Sequence, residues 1–139
     1  MNSKPISART CLLLILFFGI AAYSNTFNVP FQYDDFGDVA GNQILHPPLD
    51  LGRIWQNYPP RFVANLSFAL QLALTGPAPR GFHVVNLLIH LLAAMAVFGI
   101  SRLLLRTPAL RETIPSSHCD LFALAPALLF LTHPAQTEA

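Results

Sequence analysis

Two stretches of this sequence are too long and too apolar to be at ease in water. Residues 7–27 have an uncharged centre at positions 11–23, and residues 82–105 carry a single charge, Arg102, near one end. A helix that crosses a bilayer needs about 20 mostly apolar residues, so each stretch is read as a span. Arg102 is close enough to its end to snorkel to the interface. A third apolar run, 121–132, is shorter. It is read as the start of a further span within 120–139, whose far flank the sequence does not supply, so the sequence reads as truncated. The first stretch has a competing reading as a cleaved signal peptide, with Lys4 and Arg9 ahead of an apolar run and small Ala21 and Ala22 behind it. The second long stretch favours a retained span.

Composition agrees. Of 139 residues, 53% are hydrophobic and only 11% charged, against about 25% charged in an ordinary soluble domain. Disorder is excluded by the same balance. A net charge of +1 without a basic cluster gives nucleic acid no electrostatic footprint. Cys11 and Cys119 are read as buried small hydrophobes, with neither a disulfide nor a metal site between them.

Lys and Arg counts set the orientation. Lys4 and Arg9 precede span one, and Arg102, Arg106 and Arg111 end or follow span two. These flanks are assigned to the cytoplasmic side, in a multi-pass protein of the cell (inner or plasma) membrane. Residues 28–81 then form an extracytoplasmic loop. That loop is rich in proline and aromatic residues, and residues 61–74 read as an amphipathic surface helix. Phe62, Val63, Leu66, Ala69, Leu70 and Ala73 supply its apolar positions; Asn65, Ser67 and Gln71 supply polar ones. Trp55, Tyr58 and Phe62 suit a membrane interface. The fold class expected is all-α integral membrane, with two complete spans and the start of a third.

Several residues can carry chemistry. Asp34 and Asp35 follow span one; two adjacent carboxylates can hold a divalent metal, or one can act as a general base. A solvated acidic loop is the plainer reading of an Asp pair taken alone. His83, Asn86 and His90, spaced by three and four, share one helical stripe. They either line a substrate cavity or hydrogen-bond between helices. The two histidines are roughly 10 Å apart along the axis, too far to share a metal. His133 and Pro134, with Glu138 beyond, mark a helix edge or a polar site. Arg61 is the cation best placed for a phosphate, because its planar fork matches phosphate oxygens; interfacial anchoring is the competing role. Walker, Rossmann, His-Glu-x-x-His and nucleophile-elbow patterns are absent from the sequence.

These residues, in this order, resemble the amino-terminal part of a polytopic enzyme group. It is the GT-C class of lipid-phosphosugar-dependent glycosyltransferases, in particular the transmembrane-and-tetratricopeptide-repeat O-mannosyltransferase-like proteins and their bacterial relatives. The resemblance rests on Tyr33-Asp34-Asp35, on Arg61 with the run 65–70, on Gly81-Phe82-His83 with Asn86 and His90, and on His133-Pro134 with Thr137-Glu138. It implies transfer of a sugar from a polyprenyl- or dolichyl-phosphate donor to a protein or glycan acceptor outside the cytoplasm. It also implies Asp34 or Asp35 as base or metal ligand, Arg61 and the His83 face toward the lipid phosphate, and His133 and Glu138 lining the same cavity. No resident cofactor is certain beyond a divalent metal where one is used. The chain departs from the pattern at Pro60-Arg61-Phe62, where Arg-Pro-Leu is usual, and three spans alone would lack most of the donor groove. The alternatives are a non-catalytic membrane scaffold or assembly protein, with the acids as surface charge, and a transporter fragment in which the His83 stripe lines the path.

Overall fold

A computed structural model describes residues 5–32 and 35–133. Among these, every regular element is helical: α1 (Ala8–Tyr23), α2 (Leu51–Asn57), α3 (Phe62–Thr75), α4 (Pro79–Leu105), α5 (Pro108–Arg111) and α6 (Cys119–Thr132), with short 3₁₀ and π turns between them. Two helical runs, Ala8–Asn28 and Pro79–Leu105, are long and apolar enough to cross a bilayer. At 1.5 Å per residue α4 extends about 40 Å and α6 only about 21 Å. The described chain forms two compact units: Thr26–Val84 is one, and the stretches before and after it make the other.

The second of these is a helix bundle. Ser7 starts α1, its Oγ accepting from the Thr10 backbone N–H at 3.2 Å. Every fourth residue of α1 is then buried, at Cys11, Ile15, Gly19 and Tyr23. That stripe packs on Ala123, Leu124, Ala127 and Leu131 of α6. Leu87, Leu91, Ala94 and Phe98 form the buried stripe of α4. Gly19 permits the closest approach, since a Cβ there would stand 2.5 Å from Leu91 Cδ2 and 3.3 Å from Leu131 Cδ1. Small residues at such crossings are what packing in a membrane favours. The opposite faces display Leu13, Phe17, Ile20, Leu92, Leu103 and Leu129, as lipid-facing surfaces would. Asp120, in the first turn of α6, binds Arg102 Nε at 2.5 Å and lies 3.8 Å from Arg106.

The loop unit has its own core of Phe31, Val39, Leu45, Ile54, Ala69, Leu72 and Phe82. Asp50 starts α2, accepting from the Arg53 N–H at 3.0 Å. This helix was not among the sequence expectations, and it carries Trp55, whose ring meets Phe62 edge-on at 5.3 Å. The orientation of α3 corrects the sequence reading. The expected polar positions Asn65 and Gln71 are buried beside Ala69 and Leu72, whereas Val63 and Leu74 are 79% and 83% exposed. Asn65 tolerates burial because its amide donates to the Arg61 carbonyl at 3.1 Å. The face built on positions 65, 69 and 72 is narrow, and small Ala69 lets it approach the core. The bulkier apolar residues are left outside.

Candidate functional site

The acidic segment is a π-helical turn, Asp35–Ala40, a rare geometry that recurs at functional sites. Val39 anchors it in the core while Asp35 and Asp38 stay outside. At its start, Asp35 Oδ2 accepts from the Gln32 N–H at 3.1 Å, and the Asp35 N–H donates to Gln32 O at 3.0 Å. At its end, the Gly41 N–H reaches Phe36 O at 2.7 Å. Only glycine fits there, because a Cβ would sit 2.7 Å from that same carbonyl oxygen. His46 Nε2 donates to Ala40 O at 2.8 Å. The turn is therefore tied down at both ends with its carboxylates outermost.

Arg61 closes the 3₁₀ turn Pro59–Arg61 just before α3. Its guanidinium stands 3.9 Å from Asp38 Oδ2, with the two side chains 76% and 67% exposed. A pair this open contributes only about 0.2–1 kcal/mol, so most of the donor capacity of Arg61 is left for another anion. The structure thus brings together the acidic turn and the arginine that sequence reasoning selected separately. Asp38, Asn42 and Tyr58, which connect them, were not selected. Their signal in the sequence was slight: an acid three residues after Asp35, and an Asn following the Gly that closes the turn.

The remaining candidates are placed as follows. His83, near the start of α4, donates from Nε2 to Val29 O at 3.0 Å, and Arg80 reaches Asn28 Oδ1 at 3.3 Å. Both interactions lie within the loop unit. Asn86 is exposed on α4. His90 belongs to the bundle: its Nε2 donates to Leu131 O at 3.0 Å, and its ring lies between Tyr23 (5.1 Å) and Phe130 (5.2 Å). The one stripe expected for His83, Asn86 and His90 is present on the helix, but its two histidines serve different backbone carbonyls. His133 caps α6 with extended backbone. Tyr33, Asp34, Pro134, Thr137 and Glu138 lie outside the described residues. Among the described residues no three His, Cys, Asp or Glu side chains group as a metal site.

The chain has relatives among known proteins. It is 35% identical over 133 residues to protein O-mannosyl-transferase Tmtc1 of Drosophila melanogaster, covering 84% of this chain and 14% of the relative. The chain resembles the protein O-mannosyl-transferases. Tmtc3 of the same fly is 30% identical, over 86% of this chain and 15% of its own length. Human TMTC2 is 29% identical, over 87% and 15%. The motif-based resemblance to O-mannosyltransferase-like proteins is thereby supported over most of the chain, although the chain spans only about one seventh of the length of these relatives. No family model matches the chain, and no solved structure does.

Proposed function

We propose that this chain carries the acceptor-activating part of a membrane glycosyltransferase of the GT-C type. The enzyme moves a sugar, mannose by the relatives' name, from a lipid-phosphate donor to a hydroxyl of a protein on the extracytoplasmic side. The observation that supports this most directly is the meeting of Arg61 with the acidic turn at Asp38, in a stretch similar to protein O-mannosyl-transferases.

In this reading Asp35, or its neighbour Asp34, takes the proton of the acceptor hydroxyl. The oxygen attacks the anomeric carbon, the bond from that carbon to the phosphate oxygen breaks, and the electron pair leaves with the lipid phosphate. Arg61 holds the charge that develops there. A divalent metal, where one is used, would be held by the same two carboxylates and would polarise the same phosphate. His83, in the same compact unit, is a supporting candidate along the donor path. Spans one and two sit across the membrane with residues 28–81 outside, and α3 lies along the outer leaflet.

The test is Asp35→Asn in the protein expressed from its intact gene. Sugar transfer falls about 100-fold or more, as for loss of a general base, while abundance and membrane insertion stay normal. Transfer at the unaltered rate in a normally inserted Asp35→Asn protein would refute the role of Asp35.

A further inference from the structure

The loop unit contains a polar side chain whose amide bonds both the acidic turn and the segment that leads into Arg61. Asn42 is half-buried, one residue beyond the glycine that closes the acidic turn. Its Nδ2 donates to Asp38 O at 3.2 Å and to Tyr58 Oη at 3.0 Å, and its Oδ1 accepts from the Ile44 N–H at 3.1 Å. Both hydrogens of the amide are used, and so is its oxygen. The first partner is the backbone of the acidic turn at Asp38. The second, Tyr58, receives the Arg61 N–H on its own carbonyl at 3.1 Å, so it starts the turn that presents the guanidinium. The exposed contact between the Arg61 and Asp38 side chains is too weak to hold these segments by itself. The partly buried amide is better shielded from water and better able to do so.

We infer that Asn42 is a positioning residue that sets the distance between the acidic turn and Arg61, and through it the fit of the lipid-phosphate donor. The part about donor fit rests on the transferase reading; the part about distance does not. Asn42 touches no reacting atom in this scheme. It acts by keeping the proton-accepting end and the phosphate-holding end of the site at one separation.

The test uses the protein from its intact gene in native membranes, with two readouts. Asp38→Cys with Arg61→Cys provides a pair for a short bismaleimide; the Asn42 contacts run through the Asp38 backbone and Tyr58, so these replacements leave them in place. Cys11 and Cys119 are buried, and single-cysteine controls give the background. Cross-link yield is expected to fall about threefold on Asn42→Ala and on the milder Tyr58→Phe, which keeps the ring and removes one bond. In the protein without engineered cysteines, both variants raise the KM for a polyprenyl-phosphate sugar about fivefold. The double variant is no worse than Asn42→Ala alone, as expected of one coupled unit. Simple loss of folded protein lowers the maximal rate and leaves KM unmoved. Unchanged cross-linking in both single variants overturns the inference. If the unaltered protein transfers no sugar, the transferase reading fails and the cross-link alone decides the role of Asn42.

Discussion

The two units solve the same problem, holding a polypeptide in one shape, by opposite means. In the bundle, apolar stripes at a helical period do most of the joining, and polar groups appear singly at the places where a helix ends. Asp120 meets Arg102 and Arg106 at the start of α6, and His90 meets the last turn of that helix at Leu131 O. In the loop unit the stripes are short, and single hydrogen bonds close one turn after another: Asp35 to Gln32, Gly41 to Phe36, His46 to Ala40, and Asn42 to Tyr58. The candidate site lies among these bonds. Periodic packing makes a scaffold, while irregular hydrogen bonding places charges, and the chain assigns each task to the method that suits it.

This contrast can be broken from either side. The largest effect on structure is expected from Gly19→Val, because its Cβ alone would meet Leu91 at 2.5 Å. Overpacking of this kind costs about 1–3 kcal/mol. Hydrogen exchange of α1 and α6 amides should accelerate, with the amides of residues 35–45 unaffected. Gly41→Ala is the mirror experiment. Its methyl would press on the Phe36 carbonyl at 2.7 Å, so exchange should rise in the acidic turn and stay constant in the bundle, at a cost of about 1–2 kcal/mol. A matching response of both units to either substitution would show that they are one cooperative body.

Smaller effects sharpen the picture. Asp120→Asn removes the charge facing two arginines. It should lower the thermal midpoint of the bundle by a few degrees, for about 1–2 kcal/mol in a half-buried pair. His90→Ala removes one donor from a helix end and should cost about 1 kcal/mol without raising the KM for the sugar donor. A raised KM would return His90 to the donor path. Leu74→Ser should leave folding in detergent almost unmoved, since this side chain is 83% exposed, while weakening retention of the loop unit at lipid vesicles.

What could be read from the sequence follows the same division. Long uncharged stretches and helical spacing located α1, α3, α4 and α6, because apolar burial leaves a periodic trace. The face of α3 was misread for a physical reason: hydropathy ranks Asn65 and Gln71 as outward residues only where the outside is water. Helix α2 was missed although its Asp50 cap was in view, because seven residues hold too few periods to stand out. At the site, Asp35 and Arg61 were singled out by residue type. Their connection through Asp38, Asn42 and Tyr58 was not, because a hydrogen bond between side chains 16 residues apart leaves no periodic spacing to read.

The orientation of α3 also decides how this protein can be handled. A piece cut at Thr26 and Val84 would hold its amides inside and carry Leu51, Trp55, Val63, Leu70 and Leu74 on its exterior. Dropped into plain buffer, it would clump through that greasy skin rather than stay monomeric. Anyone wishing to study the acidic turn apart from its anchors must supply a surfactant or nanodisc, or first rewrite that skin in polar residues.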